Sequence, residues 1–153
     1  MAATANSWKL GRGKWKVCKD FKRTASTDIA SGVLLQTSGG YLIEATTSAG
    51  ASDTPVIGIY QGPAITSATA NYATAEYLSV MIPAEPLATA IGVVDTGTLA
   101  VTDPGKSYDI SATNGITVST TTNEPVTIVK ALDLTAAAGL AEVVLTNYSS
   151  PAA

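Results

Sequence analysis

"ASGVLLQTSGGYLIEAT", residues 30–46, decides the fold class. Val33-Leu34-Leu35-Gln36-Thr37 is an apolar run that suits a strand. Ser38-Gly39-Gly40 is turn chemistry, because glycine takes positive φ without steric cost. Tyr41-Leu42-Ile43-Glu44-Ala45 then runs back. Two strands about a glycine turn predict a β-hairpin.

The same vocabulary continues outward. Residues 55–60 (PVIGIY) predict a third strand, opened by Pro55 at a position where a missing N–H is tolerated. Residues 46–54 are small and polar and predict a loop, and the Ala- and Thr-rich residues 62–75 suit a surface loop or a short helical turn, with the loop preferred. Residues 76–83 (EYLSVMIP) alternate, and residues 84–94 predict one or two short strands around Leu87 and Ile91. Beyond Asp95, strand-like runs at 96–101, 107–111, 116–122, 126–134 and 141–148 are divided by Asp103-Pro104-Gly105, Asn114-Gly115 and Asn123-Glu124-Pro125. Asn-Gly is the strongest two-residue hairpin signal. Upstream, residues 14–19 (KWKVCK) set Trp15 and Val17 against Lys14, Lys16 and Cys18, the period of a strand. Residues 1–8 read as a flexible lead-in and 149–153 as a polar tail.

About eleven short strands and no convincing helix predict an all-β protein. The expected body is a small sandwich or barrel, either as one unit or as two packed β units at 24–94 and 95–153. An extended basic N-terminal arm, 1–23, precedes it. With 46% hydrophobic residues in a chain of 153, there is enough apolar matter for a core.

The net charge of −3 conceals a division. Residues 1–23 hold seven of the nine basic residues and one acid, Asp20, and carry +6; the remainder carries −9. Such asymmetry marks a segment with its own partner.

Catalytic chemistry finds little footing. The chain has no histidine, so the commonest general base and metal ligand is missing, and the single Cys18 allows no intrachain disulfide. Cys18 reads as a small buried hydrophobe. No phosphate-binding loop in a strand–helix frame is present. Asp95, Asp103 and Asp109 could serve a glycosidase or hold calcium, but Asp beside a Pro-Gly turn more commonly caps its own backbone. No enzyme, cofactor or metal is expected. No apolar run reaches membrane-spanning length, and none has the length of a signal peptide.

The basic segment therefore carries the functional expectation. Trp8, Lys9, Arg12, Lys14, Trp15 and Lys16 are the candidate contacts, supported by Lys19, Lys22 and Arg23. Trp8 and Trp15 could stack on bases, but an acidic body repels a polyanion, so no nucleic acid is expected. An amphipathic membrane helix is opposed by the β period and two glycines. An acidic protein surface fits best, on another molecule or on a neighbouring copy. On this view, removing the first 13 residues leaves the body folded. The alternative is a carbohydrate- or host-surface-binding module displaying an aromatic cluster of Tyr60, Tyr72, Tyr77 and Tyr108.

The run "GVLLQTSGGYLIEATTSAGASDTPVIGIYQG…EYLSVMIPAE" resembles the core of head decoration (cement) proteins of tailed bacteriophages. The resemblance implies a small β-rich body tied by an N-terminal arm to the major capsid protein. It also implies homotrimers on the virion's capsid exterior, made in the host cytoplasm, that stabilise the shell. The second β unit and the strongly basic arm depart from the simplest members.

Overall fold

The glycine turn forms as its chemistry demands. Gly39 and Gly40 take φ of +58° and +84°, and the strands on either side pair antiparallel from Leu35↔Glu44 to Ser38↔Tyr41. The computed structural model describes residues 7–146; the first six residues of the lead-in expected at 1–8, the last two of the strand expected at 141–148, and the tail at 149–153 lie outside the described residues.

Eleven strands are described, and no described residue is helical. They are β1 (Lys9–Leu10), β2 (Trp15–Cys18), β3 (Val33–Ser38), β4 (Tyr41–Glu44), β5 (Val56–Tyr60), β6 (Val80–Pro83), β7 (Ala90–Thr96), β8 (Ser107–Ile110), β9 (Ile116–Thr117), β10 (Val126–Asp133) and β11 (Gly139–Leu145). One sheet runs β1-β7-β11-β10-β8-β9, and β9 returns to pair with β7 in parallel. Five strands thereby close into a barrel, with β1 added at one end of β7. The second sheet is antiparallel, in the order β2-β6-β5-β3-β4.

The two sheets share a core. Leu34, Ala45, Val56 and Ile59 of the second sheet's side pack in one cluster with Val94, Ile110, Ile128 and Val143 of the barrel. A second cluster, including Val33, Leu35, Ile57 and Ile82, fills the other side of the second sheet. Strand β3 feeds both clusters because alternate side chains point to opposite faces. Its fully buried VLLQT run is what a strand covered on both faces requires.

The chain changes sheet between β6 and β7, so the boundary expected at 94/95 falls inside β7. Several expected strands are shorter or missing: the 76–83 run is a strand only over β6, and Leu87, expected in a strand, lies in a turn. In residues 96–101, Gly97 at φ +85° ends β7, and the Asp103 carboxylate accepts the Ala100 N–H at 2.7 Å to fold a turn. In residues 116–122 only β9 joins a ladder, because the Asp109 carboxylate draws in the N–H groups of Thr122, Asn123 and Glu124.

Candidate functional site

The basic segment is woven into the body. Trp8 is buried, donates its backbone N–H to Gly32 and its indole N–H to the Asn114 carbonyl, and underlies Gly92. Lys9 and Leu10 form β1 against Ile91 and Ala90. Trp15 to Cys18 form β2 against Pro83 to Val80. Residues 21–24 then bridge the open side of the second sheet. Lys22 pairs with Tyr77, and Arg23 pairs with Leu42. The described part of the expected arm is thus an integral part of both sheets. Its hydrogen-bonding groups are spent on the fold, as buried backbone requires.

The nine candidate residues separate into three sets. Trp8 and Arg23 are core. Arg23 is fully buried, and its guanidinium donates to the carbonyls of Thr24, Tyr72 and Asn71 at 2.9–3.1 Å. Its Nε has no hydrogen-bond partner. The guanidinium also sits 5.7 Å from the centre of the Tyr72 ring.

Arg12, Trp15 and Lys22 are committed to the chain itself. Arg12 Nε donates to Glu142 Oε2 at 2.7 Å, and the Thr89 hydroxyl donates to the same oxygen at 2.6 Å. The Arg12 hydrogen bond, followed by the Thr89 one, holds the Glu142 carboxyl below the ordinary range, and Arg12 is raised in return. Trp15 is half-buried, and its indole N–H donates to the Thr89 carbonyl at 3.2 Å. The Lys22 ammonium lies 5.0 Å from the centre of the Tyr77 ring.

Lys9, Lys14, Lys16 and Lys19 form the third set. All four are exposed, and none has an ion pair with a described residue. They lie along one stretch of surface chain running from β1 through β2, the edge strand of the second sheet. Lysines on an edge strand also discourage edge-to-edge pairing, so solubility alone accounts for one or two of them.

The other candidates are structural. Cys18 is buried. Burial would push the Asp109 carboxyl up, but N–H donors from Glu124, Thr122 and Asn123 together with the Thr120 hydroxyl hold it down. Burial likewise opposes ionisation of Asp103, and is outweighed by the Ala100 N–H, the Tyr108 hydroxyl and Lys106. Asp95 accepts the hydroxyls of Ser111 and Thr113. Turn and loop capping is therefore what all three do. Among the described residues no group of three acidic or cysteine side chains could hold a metal ion, and no helix is long and apolar enough to cross a membrane.

The four tyrosines do not form an exposed cluster. Tyr60 and Tyr108 are buried, with their hydroxyls on the Pro63 carbonyl and Asp103, and the Tyr72 hydroxyl donates to Asp28. Tyr77 is the exposed one. Sequence reasoning missed Asn114 altogether as a joint between the sheets. Its side chain accepts the Leu34 N–H and donates to the carbonyls of Leu34 and Ala45, all at 2.9 Å. Its Asn-Gly context signalled the turn, and nothing local signalled the partner.

No family model, no curated protein and no solved structure matches this chain.

Proposed function

We propose that the chain is a non-enzymatic structural protein of a virus particle, one that decorates the exterior of a tailed-phage capsid and stabilises it by binding across major capsid subunits. One observation carries the reading: Lys9, Lys14, Lys16 and Lys19 are four exposed cations without a described ion-pair partner, on a backbone that strands β1 and β2 tie into the body, with Lys9 and Lys16 inside those strands and Lys14 and Lys19 flanking β2. An acidic protein surface is the partner whose chemistry fits them.

The docking mode differs from that of a loose tether. A preformed strand framework orders little on binding, so less conformational entropy opposes association. A protein that binds only the assembled shell stabilises it by mass action and needs no catalytic group. The tyrosine placement weighs against the carbohydrate-binding alternative, since two of the four proposed contacts are buried.

The test is decoration of purified shells, read by negative-stain imaging and co-sedimentation across a salt series. The variant Lys14→Glu/Lys16→Glu/Lys19→Glu is expected to fold normally and lose binding, and wild-type binding is expected to weaken with salt. Full decoration by the triple variant would sink the reading.

A further inference from the structure

Strand β10 outruns its neighbour. β8 pairs with it at Val126 and Thr127, and Ile128 completes that edge through Gly105 and Lys106. Beyond Ile128 the ladder continues to β11 on one side as far as Asp133, while no described residue pairs with the other. Val129, Leu132 and Leu134 are exposed there. A sheet edge of this kind, with apolar side chains, is a template for another strand.

The register says which strand fits. Lys130 lies opposite Glu142 and Asp133 opposite Leu140, with one irregularity between Ile128 and Lys130 and another, between these two residues, from Ala131 to Asp133. Glu142 and Leu140 are two apart on β11 and share a face, so Lys130 and Asp133 share that face too. Residues three apart on a regular strand would not. The second irregularity therefore makes this edge complementary to itself. Laid antiparallel about an axis between residues 131 and 132, two copies bring each Lys130 beside the other's Asp133. A parallel arrangement would instead stack Lys on Lys and Asp on Asp. Asp133 has capacity for this, since Thr135 donates both its N–H and its hydroxyl to Oδ1 alone.

We propose that the free edge of β10, residues 129–133, is a self-association surface at which two copies of this chain pair antiparallel through reciprocal Lys130–Asp133 contacts. The occupant is a second copy because the two charges of this one strand satisfy each other under a two-fold axis. This is a two-fold contact, distinct from the three-fold assembly that the phage resemblance implies, and it does not rest on the capsid reading.

The experiment is sedimentation equilibrium of the full chain at rising micromolar concentrations. Wild type is expected to approach twice the monomer mass. Lys130→Asp is expected to weaken association about tenfold, because two attractive cross-strand pairs become repulsive. Asp133→Lys, which also removes the Thr135 cap, is expected to do the same. An equimolar mixture of the two single variants restores opposite charges at both contacts and is expected to form a heterodimer. Wild type that stays monomeric, a trimer mass, equal dimerisation by Lys130→Asp, or no heterodimer in the mixture would each overturn the proposal. Shell decoration by the β2 lysines is read separately.

Discussion

The Trp8 indole N–H donates 2.7 Å to the backbone carbonyl of Asn114, a residue 106 positions away. The same ring lies against Gly92, where an added Cβ would come within 2.6 Å of it. A residue expected at the tip of a free arm is therefore a wedge in the shared core, touching β7 and the β8–β9 turn at once. Its indole N–H is satisfied, as a buried Trp requires.

Trp8→Ala is expected to destabilise the fold by about 3–5 kcal/mol, the range for deleting a buried aromatic side chain. Urea denaturation monitored by the remaining tryptophan checks it. Removing the first 13 residues should also destabilise the protein, since β1 goes with them. This reverses the expectation that the body would be indifferent to that deletion.

Asn114 deserves a separate substitution because it joins the sheets without contributing a ladder. Its amide imitates a strand neighbour for Leu34, giving and receiving one bond each, and reaches Ala45 with its second N–H. Asn114→Ala strands two backbone groups, the Leu34 N–H and the Ala45 carbonyl, each costing about 1–3 kcal/mol when left unpaired, while the Leu34 carbonyl keeps the Ala45 N–H. It also places a β-carbon residue without a helpful polar group at φ +67°. Asn114→Asp keeps the shape but sets a carboxylate against two carbonyl oxygens. Both variants should unfold at lower denaturant than wild type, with the shared core opening first in hydrogen exchange.

Local rules made the β3–β4 hairpin, the 55–60 strand and the Asn-Gly turn legible, because apolar alternation and glycine chemistry are written within a few residues. Closure was illegible. The pairing of Lys9 with Ile91, or of Arg23 with Leu42, joins segments through contacts that no local period encodes. Counting charge also treated the seven basic residues alike. Yet position 23 is an arginine, whose fork of donors suits several carbonyls at once and which is the usual choice for a buried cation. That residue type was a signal that Arg23 and its exposed neighbour Lys22 differ. The lysine strip was legible as charge, and its rigidity was not.

Stability should fall at both extremes of pH, for separate reasons. Asp103, Asp109 and Glu142 are all held below their ordinary values in the fold. Their contribution is complete above the unfolded-chain values and is lost as pH drops through the lower folded ones, that is, progressively below about pH 4. Tyr108 goes the other way: burial and its hydrogen bond to Asp103 push its phenol up to about 12. The unfolded chain then loses that proton first, so stability declines as pH rises beyond about 10. Thermal melts across pH, with ultraviolet titration of wild type against Tyr108→Phe, would test both limbs. A melting temperature flat from pH 5 to pH 2 would contradict the acidic one.

Arg23 gives the sharpest contrast between charge and position. It is a buried cation whose described partners are three carbonyls and one aromatic face, so its charge is solvated by dipoles. Two of those carbonyls belong to Asn71 and Tyr72, in the long 61–79 connection between β5 and β6. Arg23 therefore anchors a segment with no strand of its own. Arg23→Lys retains the charge but cannot span three acceptors with one ammonium, and Arg23→Met removes every donor while filling similar space. If the directed bonds matter most, both variants should lose about 2–4 kcal/mol, at about 1.5 kcal/mol or more for each charge-assisted bond lost, less relaxation. The loss should appear first as faster hydrogen exchange in the 61–79 connection. If the orphaned Nε and the cost of burying the cation dominate, Arg23→Met will instead be as stable as wild type or more so. Ile65 and Leu78 fix the two ends of the connection in the core, and Arg23 supplies two of the bonds that hold its middle at Asn71 and Tyr72, so we expect the first result, with Lys and Met equally unable to hold that middle.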